Sequence, residues 1–176
     1  MKLEIGGGST FARGGDWVNI DMCKEAHMVH NLDITPWPIE DDSVDEIYSS
    51  HCIEHVKDPL TFLNECCRIC KIGARIEIRC PWPYSDLAMV SGHVSVFSLQ
   101  EIRNIEYHFP KLFWKDKKRP KFLEYRINSS ERLEEAKREL PFLRGISDHI
   151  IMKYIPGTSH EGVYFFEVVE NEHQNS

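Results

Sequence analysis

The chain contains no uninterrupted apolar run of 18 residues, which argues against a membrane-spanning helix. It also lacks a leader pattern. Met1-Lys2-Leu3-Glu4-Ile5 passes directly into a strand-like alternation, so no signal peptide is expected. Paired C-x-x-C elements and histidines at ligand spacing are missing, and with them the usual signature of a zinc site. Cysteines stand at 23, 52, 66, 67, 70 and 80, and their one cluster, Cys66-Cys67-Arg68-Ile69-Cys70, falls within a helical pattern. Small buried helix residues are the simpler reading. No metal is expected, and reduced thiols point to a cytoplasmic protein. An excess of positive charge is absent too. The net charge is −7 and the pI near 5.7, which disfavours non-specific binding along a phosphate backbone without excluding a local basic patch. Neither G-x-G-x-x-G nor the G-K-[ST] ending of a phosphate loop occurs, and there are no repeats or low-complexity tracts.

What is present fits one domain: 176 residues, of which 41% are hydrophobic. The reading is a single domain over residues 1–170 and a polar, frayed tail over 171–176. Strands are expected at 2–5, 17–21, around Val29 and His30, at 44–49 and at 75–80. Asp58-Pro59 opens a helix, since Asp caps and Pro suits the first helical position. Leu60, Leu63 and Cys67 give that helix an apolar face, and Gly73 closes it. Strands alternating with helical segments argue for a parallel α/β sheet. Further on, Ser98 caps a short helix to Ile105, with Glu101 at the capping-box position. A strand is expected at 122–127, a charged helix at 130–140 ended by Pro141, and final strands at 149–154 and 162–169.

Only residues 6 to 16 separate the first two strands. A parallel crossover needs about a dozen residues or more, and Gly6, Gly7, Gly8, Gly14 and Gly15 use up much of this one. A three-turn helix is not expected there, and one sheet face should be thinly covered. Arg75, Glu77 and Arg79 alternating with Ile76, Ile78 and Cys80 read as a half-buried strand, which agrees. Apolar surface left bare near the first strand predicts self-association, most simply a two-fold dimer, or a partner chain over that face.

Three segments carry a resemblance. They are Leu3-Glu4-Ile5-Gly6-Gly7-Gly8-Ser9, Trp17-Val18-Asn19-Ile20-Asp21, and the run from Asn31-Leu32-Asp33-Ile34 through Asp45 to Ser49-Ser50-His51-Cys52-Ile53-Glu54-His55. In this combination the chain resembles the class I S-adenosylmethionine-dependent methyltransferases, specifically their small type-11-like group, over roughly residues 2 to 100. The resemblance implies a Rossmann-like α/β fold: a mostly parallel seven-stranded sheet with an antiparallel last strand, its first crossover helix shortened or missing. It also implies S-adenosylmethionine as cofactor.

The residues themselves permit this reading. A glycine loop after the first strand lets the backbone approach a ligand closely, although a flexible turn would look the same. Asp21, ending the second strand, can accept hydrogen bonds from ribose hydroxyls or serve as a turn residue. Glu4, Gly6, Gly7, Gly8, Asp21 and Met22 are assigned to the cofactor. The resemblance makes Asp33 a contact of the adenine amino group with Ile34 beside the ring; an Asx-turn before Pro36 is the alternative. Ser50 and His51 leave the fourth strand at its carboxyl end, where open α/β sheets bind ligands, and both are assigned to the cofactor. Glu54-His55 matches a recurrent pair of the family, either structural or, through His55, catalytic. Trp37 reads as packing.

On the acceptor side, Trp82 and Tyr84 of Pro81-Trp82-Pro83-Tyr84 either wall a substrate pocket or fill the core. The segment from His93 to Ser98 resembles one that precedes a helix near the acceptor site in related methyltransferases. His93 is therefore assigned both substrate binding and removal of an acceptor proton. Residues 111–122 hold six cationic side chains among aromatics, either a phosphate-binding patch or a solvated loop. The leading expectation is methyl transfer to a small molecule or glycan. The alternatives are a nucleic-acid methyltransferase using 111–122, and a non-catalytic cofactor-binding subunit that needs a partner protein.

Overall fold

The computed structural model describes residues 1–104, 106, 114, 117–155 and 157–172. Seven strands form one sheet: β1 (Lys2–Ile5), β2 (Trp17–Asp21), β3 (Met28–Val29), β4 (Val44–Ser50), β5 (Cys70–Pro81), β6 (Lys118–Ser129) and β7 (Ser159–Glu170). Their order is β3-β2-β1-β4-β5-β7-β6. Strands β1 to β5 pair in parallel, and β7 runs antiparallel to both β5 and β6. The expected fold, including the reversed last strand, is therefore present.

Register sorts the side chains into two faces. Leu3 lies level with Val18 and Ile47, Ile47 with Ile76, and Ile76 with Phe166. This face is aliphatic and closed to solvent: Leu3, Ile5, Ile20 and Ile78 are fully buried. Helix α1 (Pro59–Ile69) covers its centre with Phe62, Leu63, Cys66 and Cys67, and Asp58 caps α1 by accepting from Leu60 N. The same core takes Ile102 of α2 (Leu99–Arg103), Leu133 of α3 (Arg132–Glu139), and Ile151 and Met152 of α4 (Asp148–Tyr154). Trp37 is buried edge-on against Phe62, the packing role expected of it.

On the opposite face no helix is present among the described residues. A single 3-10 turn, Gly8–Thr10, is all that the first crossover contains. The sheet there is not the apolar patch expected from the sequence. Arg13 lies over the rings of Tyr48 (4.1 Å) and Trp17 (5.5 Å), Lys2 over Trp17, and Arg79 over Tyr48. Glu77 pairs with Arg79 (2.8 Å) and Arg13 (3.6 Å). Cationic stems cover the rings while their heads stay wet, so the apolar argument for self-association loses its premise.

Two further expectations change. Residues 149–154 form helix α4, not a strand: Ile151 and Met152 are buried while Ile150 is half exposed, a helical and not an alternating pattern. Helix α1 ends at Ile69, and Gly73 lies inside β5 with a φ of 83°. Asn171, at the start of the expected tail, is buried, donates its Nδ2 to the Trp114 carbonyl (3.0 Å) and its N–H to that of Lys117. The helix expected to run to Ile105 is described to Arg103 as α2, with the Ser98 hydroxyl accepting from Glu101 N; Ile105 lies outside the described residues.

Candidate active site

With no helix to satisfy them, the backbone N–H groups after β1 need other partners. Polar side chains of β1 and β2 supply them. Gly7 N donates to Asn19 Oδ1 (3.1 Å) and Gly8 N to Asp21 Oδ2 (3.0 Å). Ala12 N and Arg13 N donate to the two carboxylate oxygens of Glu4 (2.8 and 2.7 Å). Asn19, fully buried, also donates its Nδ2 to the Gly8 carbonyl. Gly6 is required here, since its φ is 75° and a Cβ would collide with the Cys52 side chain.

The loop therefore forms the rim of a cavity of about 240 Å³ at the carboxyl ends of β1, β2 and β4. Gly6, Asp21, Met22, Asp33, His51 and His55 line it, as do Asn31, Leu32, Cys52 and Val56. Of the residues assigned to the cofactor, Gly6, Asp21, Met22, Asp33 and His51 meet in one place. Glu4, Gly7, Gly8, Ile34 and Ser50 do not line the cavity. Glu4, Gly7 and Gly8 build the loop, and the Ile34 side chain is more exposed than buried. Asp21 holds Gly8 N and Cys23 N (2.8 Å), one on each carboxylate oxygen, which fixes its orientation. Each oxygen keeps a lone pair for a hydroxyl donor. Asp33 Oδ1 accepts from Lys57 N (2.9 Å), and the Asx-turn belongs to Asn31, whose Oδ1 accepts from Asp33 N. Asp33 thus ties the cavity wall to the loop after β4.

His51 sits in the left-handed region (φ 52°) at the end of β4. Its Nε2 meets Glu161 Oε1 (3.1 Å) and its Nδ1 meets Glu54 Oε1 (3.2 Å). These hydrogen bonds, that to Glu161 foremost, raise its pKa to about 9 against the opposing effect of burial. It is therefore an imidazolium at neutral pH, donating from both nitrogens. Burial raises the Glu161 carboxyl, but His51, Arg79 and Asn128 outweigh it and hold the group below its ordinary value.

The two histidines proposed for chemistry come together: the rings of His55 and His93 meet edge-on at 4.8 Å. His93 arrives on a loop pinned to the 3-10 turn after β4, with Val94 N donating to the Glu54 carbonyl (2.8 Å) and Ser95 Oγ to that of Ile53 (3.0 Å). Trp82 and Tyr84 part company. Trp82 is buried and stacked on Tyr125 (6.0 Å), whereas Tyr84 is exposed. Both line a second cavity, of about 330 Å³, with Ser98, Arg103, Lys153 and Tyr154.

The sequence profile of a methyltransferase domain matches residues 12–78. That span holds Asp21, Asp33, His51 and His55, so the match falls on the cavity. The match spans less than half of the chain and marks a similarity to methyltransferase domains over those residues. A comparison with curated proteins finds no match. Among solved structures, the fold is similar to that of an S-adenosylmethionine-dependent methyltransferase from Archaeoglobus fulgidus (17% identity, TM-score 0.62, covering 94% of this chain and 85% of that one). It is similar also to a Haloferax volcanii chain in complex with the methyltransferase activator Trm112 (18%, TM-score 0.61, 94% and 81%). A third is geranyl diphosphate C-methyltransferase from Streptomyces coelicolor (14%, TM-score 0.58, 94% and 70%), described with S-adenosylhomocysteine. The cavity presents the carboxylates of Asp21 and Asp33, acceptors of the kind that the ribose hydroxyls and adenine amino group of S-adenosylmethionine would need.

Sequence reasoning overlooked Asn19, Asn31, Leu32, Cys52 and Val56. Asn19 and Cys52 become functional only through contact with the glycine loop, which no local pattern announces. Of the basic run at 111–122, most of the first half lies outside the described residues. In the described part Trp114 is buried, and Lys118 Nζ is taken up by Asp42 (2.5 Å) and the carbonyls of Arg68 and Cys70. No described helix is long and apolar enough to cross a membrane.

Proposed function

We propose that the chain transfers the methyl group of S-adenosylmethionine to a small-molecule or glycan acceptor, with the cofactor in the cavity of Gly6, Asp21, Asp33 and His51. The carrying observation is the convergence of these residues with His55 and His93 at one carboxyl-end rim. The sulfonium donor is already activated, so the chain's task is alignment and disposal of a proton. Asp21 takes the ribose and Asp33 the adenine edge. When bound, S-adenosylmethionine would supply the methyl group to the acceptor heteroatom and be left as S-adenosylhomocysteine. The acceptor's proton passes to His93, beside His55. Trp82 and Tyr84 contribute an acceptor wall, in a cavity sized for a small molecule. The commitment of Lys118 to Asp42 and Arg68 weighs against a nucleic-acid acceptor at 111–122. All six cysteines are free thiols, which suits the cytoplasm.

A subunit needing a partner is the second reading, supported by the likeness to the Haloferax volcanii chain that is in complex with the activator Trm112. Calorimetry with S-adenosylmethionine and S-adenosylhomocysteine, without acceptor, separates the two. Binding by the isolated chain supports the first, and loss of binding that a partner restores supports the second. Light scattering at micromolar concentration settles whether that partner is a second copy. An acceptor-library methylation screen then names the acceptor class.

A further inference from the structure

Glu54, His55 and His93 each offer one ligand atom within 4.8 Å of the other two. Two of the three are short of partners. Glu54 is 2% exposed, and while its Oε1 accepts from His51, its buried Oε2 has no hydrogen-bond partner. His93 Nδ1 is likewise buried and without one. An orphaned carboxylate oxygen and an orphaned imidazole nitrogen are costly apart and are jointly a ligand set. Their supports are already in place. His55 Nδ1 meets the Gly92 carbonyl (3.2 Å), which fixes an N–H on that nitrogen and leaves the Nε2 lone pair outward. The Glu54 carboxylate is held by His51 in the same way.

We propose that Glu54, His55 and His93 form a binding site for one divalent metal ion of the borderline class, such as Zn²⁺ or Co²⁺. Two imidazoles and one carboxylate select such an ion over Mg²⁺ or Ca²⁺, which prefer all-oxygen shells. Three protein ligands leave a fourth position free. Ligand atoms around a tetrahedral ion lie about 3.4 Å apart, so the triad closes by about an ångström, a movement available to the exposed His55 side chain. The expectation of no metal rested on cysteine spacing, whereas this site joins the end of β4 to the distant loop of His93. It does not depend on the methyl-transfer reading. On the acceptor side, the His55 and His93 lone pairs would serve the ion when metal is bound and a proton when it is not.

The test titrates Co²⁺ alone into metal-stripped protein, following visible d–d absorption and stoichiometry by calorimetry. One ion per chain with an intense low-symmetry spectrum is expected, displaced by Zn²⁺. His55→Ala and His93→Ala should each weaken binding by about tenfold or more. Both side chains are at least partly exposed, so unchanged circular dichroism shows that the variants fold. Glu54→Gln should behave likewise. Absence of Co²⁺ binding overturns the proposal, as does binding that survives both histidine substitutions, which would assign the ion to the cysteines. S-adenosylmethionine affinity measured on the same samples keeps a failed metal site distinct from a failed cofactor site.

Discussion

The two faces of the sheet solve the same problem with opposite materials. One is aliphatic and sealed by helices, with Leu3, Ile5, Ile20 and Ile78 inaccessible to water. The other has no helix among the described residues, and its aromatic rings lie under Arg13, Arg79 and Lys2. The first face stores stability. The second shapes the cavity, because its polar side chains Glu4, Asn19 and Asp21 replace a helix in holding the loop there. A crossover too short to fold into a helix becomes workable once its N–H groups find carboxylates.

This division predicts unequal responses to mutation. Phe62→Ala, on α1 over the sealed face, should destabilise by about 3–5 kcal/mol, the usual cost of removing a fully packed ring. Denaturant unfolding measures it, and the loss should be nearly independent of salt. A loss under about 1 kcal/mol would mean that α1 is not what seals the sheet.

Asp21→Ala acts on the other face. It should weaken S-adenosylmethionine binding by about 1.5–3 kcal/mol, since charge-assisted hydrogen bonds disappear. It also releases Gly8 N and Cys23 N, so Asp21→Asn, which keeps an acceptor oxygen, should cost less. Titration calorimetry decides this, and unchanged affinity in both variants would remove Asp21 from the site.

The same contrast governs what could be read from the chain. Strands β1, β2, β4 and β5 were legible because aliphatic alternation and glycine punctuation come from the sealed face. Asp21, Asp33 and His51 could be grouped from the sequence because each ends or follows a strand in a recognisable order, and all three line the cavity. Helix α4 was not: His149-Ile150-Ile151-Met152 has strand-like composition, and burial of Ile151 and Met152 in the core decides in favour of a helix. The polar lattice was not legible either. Arg13, Tyr48 and Glu77 are remote in sequence, and alternation tells which way a side chain points without telling what meets it. Asn19 was hidden for the same reason.

Arg13→Ala should be milder than either preceding change. It removes a cation from over Tyr48 and an ion pair with Glu77, both partly solvated. A loss of about 0.5–1 kcal/mol is expected, shrinking as salt rises. A salt-insensitive loss of several kcal/mol would mean that this face is sealed as firmly as its opposite.

The smallest effect belongs to Asp45 near the amino end of β4, outside both packed regions. Its carboxylate accepts from Lys71 Nζ (2.6 Å) and from the terminal ammonium (2.6 Å). These bonds, that to Lys71 first, lower its pKa from 3.8 to about 2. A depressed carboxyl stabilises the folded state above its unfolded value and ceases to do so as pH falls through the folded one. The contribution of Asp45 should therefore be intact above pH 4 and fade between about 4 and 2. Because the group is exposed, the change should be slight and weaker in salt. Comparing the acid unfolding of the parent with that of Asp45→Asn isolates it: the two curves should converge toward pH 2. If their separation instead persists unchanged across that window, the ion pair is not what Asp45 contributes, and the exposed rim would share the salt-indifferent character of the sealed face.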